Sequence, residues 1–251
     1  MKYAIFSDIH SNWEALKKYI AHTSGLGLKW ICLGDVVGYA SHPNECIQLL
    51  REHNIPVLMG NHDSALLKAF ERRKFNLLAR SAIEWHAKEV TPANRQWLGE
   101  LPLGAIYQKL FSVTHADFSS PGDFPYIITA QDAQRSLAAM KTIIGFYGHT
   151  HIPMVFAEDP KKAPGEEGRI VIRQIRGIKK FALQTGKRYL INPGSLGQPR
   201  DGDPRMSYVI FDTDEMTVSY QRLEYDYHLE SKSILEAKLP PQLAERLLVG
   251  A

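Results

Sequence analysis

Through the first 150 or so residues, short apolar runs alternate with stretches whose apolar positions recur every three or four residues. KYAIFSD (2–8), KWICLGD (29–35) and PVLMGN (56–61) read as strands. Between them, NWEALKKYIAHT (12–23) and PNECIQLLREHN (43–54) read as helices. Leu16, Tyr19 and Ile20 share one buried face, as do Ile47, Leu50 and Ile55. Strands that alternate with crossover helices predict a parallel sheet. A helical region over 64–100 follows, broken near Lys74–Asn76 and again at Thr91-Pro92, an N-cap and first turn.

The pattern changes after LFSVTHA (110–116) and the helix AQDAQRSLAAMK (130–141). Strand-like runs then crowd together: TIIGFYGH, MVFAED, RIVIRQI, KRYLINPG, MSYVIFD and TVSYQRLEY. Their hairpin-like gaps predict an antiparallel or mixed sheet. A final helix is expected across 228–248, interrupted at Pro240-Pro241. No repeat, low-complexity tract or linker divides the chain, so one domain over 1–251 with two sheets is expected.

Composition narrows the function classes. The net charge of +3 is too mild to mark a nucleic-acid or membrane surface. The basic clusters at 71–74, 159–162 and 177–180 read as solvated faces. Cys32 and Cys46 cannot form a disulfide framework and read as reduced packing residues. No apolar run has the length of a membrane span, and the N-terminus lacks the pattern of a secretory signal. The cytoplasm is the expected compartment, without membrane contact or a nucleic-acid partner; the sequence carries no signal for oligomeric state.

The chemistry lies where strands end. The expected strand ends carry Asp8 and His10, Asp35, Asn61 with His62 and Asp63, His115, and His149 with His151. Ligands of open α/β sheets bind at the carboxyl ends of strands. Each cluster alone has an ordinary reading: GD is a turn signal, Asp63 and Ser64 suit an N-cap, and a lone histidine is usually structural. Together they would gather seven nitrogen and oxygen donors with no thiolate. That set suits divalent first-row ions better than structural zinc, and suits two ions about 3.5–4 Å apart better than one tetrahedral ion. The remaining histidines, His22, His42, His53, His86 and His228, read as surface or packing residues.

The series D-x-H (8–10), G-D-x-x-G (34–38), G-N-H-D (60–63), His115 and G-H-T-H (148–151) resembles the calcineurin-like metallophosphoesterase family. INPGSLGQPRDGDPRMSY (191–208) resembles the closing segment of its bacterial phosphodiesterase-like branch. The resemblance implies an α/β fold, a four-layer α/β/β/α sandwich of two mixed sheets flanked by helices. It implies two divalent metal ions (Mn, Fe, Zn or Ni, with Mg also suited). Asp8, His10 and His151 would bind one, Asn61, His115 and His149 the other, and Asp35 would bridge them. Hydrolysis of a phosphoester, diester or monoester, on a small or nucleotide-like substrate would follow by attack of a metal-bridging hydroxide. His62 would be the catalytic residue, acting at the leaving oxygen, and Gly60 would permit the tight backbone before it.

Departures from the family pattern bear on the substrate. Gly38 stands where protein Ser/Thr phosphatases carry an aspartate that orients the catalytic histidine, with Asp63 as a candidate substitute. That weakens the protein phosphatase and dinucleoside polyphosphate hydrolase alternatives. Ala116 and Asp117 replace the Gly-Ser of an H-G-S-P segment, which affects leaving-group contacts. Arg200 either binds substrate phosphate or pairs with Asp201. A non-catalytic scaffold on this fold tends to lose donors, and here every position is filled. A nuclease would need a basic groove that the chain does not show.

Overall fold

The computed structural model describes residues 1–251. The first part of the chain contains β1 (Lys2–Phe6), α1 (Trp13–Thr23), β2 (Lys29–Cys32), α2 (Pro43–Glu52), α3 (Asn61–Leu67), α4 (Leu77–Glu89) and α5 (Pro92–Gly99). The middle contains β3 (Gly104–Tyr107), β4 (Phe111–Thr114), α6 (Ala130–Ala139) and β5 (Ile144–Phe146). There follow β6 (Met154–Glu158), β7 (Ile170–Gln174), β8 (Lys179–Ala182), β9 (Arg188–Asn192), β10 (Met206–Asp212) and β11 (Thr217–Leu223), then α7 (Tyr227–Glu236) and α8 (Pro241–Val249). Polar side chains set the helix starts. Asn12 accepts from the Ala15 N–H at 3.0 Å, Thr91 caps α5 with Pro92 behind it, and Thr129 and Asp132 form a reciprocal box on α6.

Two mixed sheets result, ordered β2-β1-β10-β11-β8 and β3-β4-β5-β9-β6-β7. β1 and β2 run parallel, as do β4, β5 and β9; the other pairings are antiparallel. Strand alternation builds the layers. On β1, Tyr3 and Ile5 face the second sheet, while Ala4 and Phe6 face the helices. On β10, Val209 and Phe211 point inward and Met206 and Tyr208 outward. Phe111, Phe146 and Ile191 answer from the second sheet. Outside, α1–α5 cover the first sheet, and α6 covers Phe156 and Leu190 of the second. The arrangement is the four-layer α/β/β/α sandwich. The helices α7 and α8 join α4 in a further cluster that reaches Tyr39 and Ala40.

Three sequence expectations change. PVLMGN is not a strand: only Val57 bridges Cys32, and the segment turns into α3 at Asn61. Pro56 has no N–H to give a ladder, so its carbonyl alone pairs, accepting from Cys32 at 2.9 Å. The sheet holding β1 and β2 is mixed, because β10 inserts antiparallel beside β1. β3 and β8 are strands that the hydrophobic pattern does not predict; each has four residues, and half of KKFA is lysine. β8 and β7 are sheet edges, and Arg173, Lys179 and Lys180 there discourage edge-to-edge pairing. No helix is long and apolar enough to cross a membrane.

Candidate metal centre

The loops after β1, β2, β4 and β5, with the first turn of α3, converge at one end of the sandwich. Asp8, His10, Asp35, His115, His149 and His151 are all buried there. Two groups of donor atoms form, one from Asp8, His10, Asp35 and His151 and one from Asp35, His115 and His149, each with its donors within 4.8 Å of one another. Asn61 joins the second through Oδ1, 3.2 Å from His115 Nε2. Asp35 belongs to both. Its Oδ2 lies 3.6 Å from His10 Nε2 and 3.4 Å from His115 Nε2, while Oδ1 accepts the His62 N–H at 2.9 Å.

The imidazoles are held in a defined orientation. Nδ1 of His10 lies 3.0 Å from the Val37 carbonyl, Nδ1 of His115 3.0 Å from that of Leu33, and Nδ1 of His151 2.7 Å from that of Gln198. A carbonyl only accepts, so each Nδ1 carries a proton, and the Nε2 of a neutral ring presents a bare lone pair. Burial above all, then His62 for His10 and Arg200 for His151, hold both rings well below the usual histidine range, so both are neutral near pH 7. Yet their Nε2 atoms face each other at 3.1 Å. Two lone pairs at that distance repel unless a cation lies between them and the carboxylates.

The carboxylates show the same shortage of positive charge. Asp8, Asp35 and Asp63 are all fully buried or nearly so. Burial raises Asp8 to about 7. Burial, then the charge of Asp35, does the same to Asp63. Asp35 remains ionised: burial opposes its charge, but His115 and His62 outweigh burial. Burial also opposes protonation of His115, yet Asp35 and its hydrogen bond push that ring up to about 9. One imidazolium cannot balance three buried carboxylates, whereas divalent ions fit this donor set in charge and in chemistry.

Backbone strain points to the same place. Asp8, His10, Asp35, His149 and His151 have φ of 56°, 51°, 55°, 67° and 61°. This left-handed region costs a non-glycine residue on the order of 1–3 kcal/mol and persists where the surroundings over-determine it. Gly60 corrects one expectation. Its φ is −96°, open to any residue, but a Cβ there would collide with the Asp35 carboxylate and N–H. Gly60→Ala is therefore expected to displace Asp35 and lower stability by about 1–3 kcal/mol. Thermal unfolding reads this, and an unchanged Tm would remove the close approach as the reason for glycine.

His62 stands outside both donor groups. Its ring packs 4.7 Å from those of His10, Tyr39 and Phe75, and its Nδ1 is buried without a partner. Burial lowers its pKa to about 4, against the pull of Asp35. Asp63 does not orient it. Asp63 is the third residue of α3, not its cap, and accepts N–H groups from Gly60, Val36 and Val37 at 3.0, 3.3 and 3.1 Å. Nor could an aspartate replace Gly38 without rearrangement. Gly38 has φ +112°, and a Cβ on it would lie 2.5 Å from His62 Nδ1. The buried His86 fastens the same loop: its Nδ1 accepts the Gly38 N–H at 2.9 Å, and its Nε2 bonds the Ala40 carbonyl at 2.7 Å.

A cavity of about 420 Å³ opens onto the cluster, and Arg200 lines it beside Asn61, His62 and His149. Arg200 is not paired with Asp201, which binds Arg222 instead. Arg200 Nη2 donates to Tyr39 Oη at 3.2 Å and Gln198 Oε1 at 2.9 Å, leaving Nε without a protein partner. Asp117 plays a structural part, accepting Arg135 Nε and Nη2 at 2.9 and 2.8 Å. Sequence reasoning missed Asn192, which ends β9 and donates to the Gly148 carbonyl at 2.6 Å and Thr150 Oγ1 at 3.0 Å. Ser195 Oγ likewise donates to the Asp8 carbonyl at 2.8 Å. The strand-end rule would have found Asn192, because β9 is parallel to β5 and ends at the same rim.

Comparison with known proteins agrees with this geometry. Residues 1–216 match the calcineurin-like phosphoesterase superfamily domain, and the chain belongs to that metal-dependent family. It is 38% identical over 251 residues to an uncharacterized protein of Methanocaldococcus jannaschii, covering 98% of this chain and 97% of that one. A metallophosphoesterase from Sphaerobacter thermophilus matches with a TM-score of 0.86 and 35% identity over the whole of both chains. A hypothetical protein from Pyrococcus horikoshii shares the fold, with a TM-score of 0.77 at 16% identity over 100% of this chain and 98% of that one.

Proposed function

We propose that the protein hydrolyses a small phosphoester, diester or monoester, at a pair of divalent ions that share Asp35. The observation that carries the reading is the double donor group around Asp35 at the floor of an open cavity. Asp8, His10 and His151 would hold one ion, and Asn61, His115 and His149 the other. When bound, such ions acidify water toward neutral pH and neutralise charge that grows on the phosphoryl oxygens. The protein's own contributions are distinct. The Nδ1–carbonyl bonds of His10, His115 and His151 aim Nε2, and the Asn192 and Ser195 contacts hold the backbone of the His149 and Asp8 loops. His62, on the cavity wall but outside the donor groups, would serve the leaving oxygen through a ring N–H. Arg200 would grip a phosphoryl oxygen with the guanidinium edge that no protein group uses.

Two alternatives are less well supported. A protein Ser/Thr phosphatase or dinucleoside polyphosphate hydrolase would be expected to orient the histidine with an aspartate, and Gly38 leaves no room for one. A non-catalytic scaffold would not need every donor position and His62 filled. Arg200→Ala is expected to raise KM roughly tenfold or more with a smaller change in kcat, since a charged hydrogen bond is worth about 1.5–3 kcal/mol. An unchanged KM would exclude the phosphate contact. The reading itself is tested with bis-p-nitrophenyl phosphate and p-nitrophenyl phosphate on metal-stripped protein, before and after adding Mn, Ni or Mg. Metal-dependent turnover is expected, with the diester-to-monoester ratio assigning the subclass, and no turnover with any ion would overturn the reading.

A further inference from the structure

The wall of the cavity is aromatic, and its aromatic residues rest on the site histidines. Tyr39 and Phe75 each pack 4.7 Å from His62. Phe124 meets His115 edge-on at 5.9 Å, and Tyr126 stacks on His149 at 4.1 Å with planes 21° apart. Phe75 comes from the loop before α4. Phe124 and Tyr126 come from the loop between β4 and α6.

Packing alone does not account for this wall. Tyr126 has one face against His149 and is still 50% exposed, although it lines a cavity. Phe124 has φ +53°, a conformation that a bulky side chain rarely keeps without a reason. Two cations, Lys74 and Arg200, line the same cavity, and neither has a carboxylate partner within 4.0 Å. Open ring surface beside unpaired cations suits an organic anion that carries a flat ring.

We infer that the organic group of the substrate is a planar aromatic ring, a nucleobase or an aryl group, that stacks on Tyr126 while its phosphoryl group meets Arg200. The inference rests on the phosphoesterase reading and adds the substrate class to it. Stacking recognises a ring without reading its hydrogen-bond pattern, so discrimination among bases would be weak.

The test compares 5′-AMP with ribose 5-phosphate as inhibitors of bis-p-nitrophenyl phosphate hydrolysis by the metal-loaded enzyme. The two carry the same phosphate and sugar and differ by the base. The wild-type protein is expected to bind 5′-AMP at least tenfold more tightly. Tyr126→Ala and Tyr126→Leu should both bring that ratio to within about twofold of one, and Tyr126→Phe should retain it. Equal inhibition of the wild type by both compounds, or a ratio that survives in both the Ala and Leu variants, would overturn the stacking. Hydrolysis that neither compound inhibits would overturn the inference alone, whereas the absence of any metal-dependent hydrolysis to inhibit would fail the phosphoester reading on which it rests.

Discussion

Asp35→Asn is expected to lower diester turnover by roughly 10³-fold, the upper end of what one lost electrostatic partner costs. The change is nearly isosteric. The remaining oxygen still accepts the His62 N–H, so α3 keeps its place against the loop after β2. What changes is the atom now 3.6 Å from His10 Nε2 and 3.4 Å from His115 Nε2. In place of a charged oxygen stands an amide nitrogen whose hydrogens can bond the His10 lone pair and which cannot itself coordinate an ion. Because Asp35 belongs to both donor groups, metal content should fall at both, and elemental analysis should find less than one ion per chain. Full metal content with full turnover would refute the shared role. Far-UV circular dichroism should be unchanged, which separates this loss from misfolding.

His62→Ala should have the opposite metal signature. Turnover is expected to fall by about 10²–10⁴-fold, the usual contribution of a positioned proton donor. Metal content should stay at the wild-type value, because His62 belongs to neither donor group. The variant leaves a gap between Tyr39 and Phe75, so His62→Phe, which preserves ring packing, separates lost chemistry from lost packing. Metal loss in both variants would mean that His62 is a ligand, and the assignment of His62 would fall.

Much of the site was legible because chemistry and topology coincide at strand ends. Asp8, Asp35, His115 and His149 follow β1, β2, β4 and β5 within three residues, so one rule finds them all. The fold class was legible for a related reason: alternation on β1 and β10 divides each strand between two cores. What the sequence could not show lies at long range. Nothing local to residues 2–6 indicates that β10, some 200 residues later, pairs antiparallel beside them. The segment 56–61 misleads because an apolar run ahead of a glycine looks the same before a strand end and before a helix start. The need for Gly60 depends on Asp35, a tertiary neighbour, and not on its own backbone angles. The aromatic wall was hidden for the simplest reason. Phe75, Phe124 and Tyr126 sit in loops, where no periodicity indicates which way a ring turns.

The central claim is most directly tested by titrating metal-stripped protein with Mn while following bis-p-nitrophenyl phosphate turnover. Turnover should be negligible without metal, rise with added ion and level off at two ions per chain. A plateau at one ion, or turnover that survives complete removal of metal, would contradict a paired centre built around Asp35.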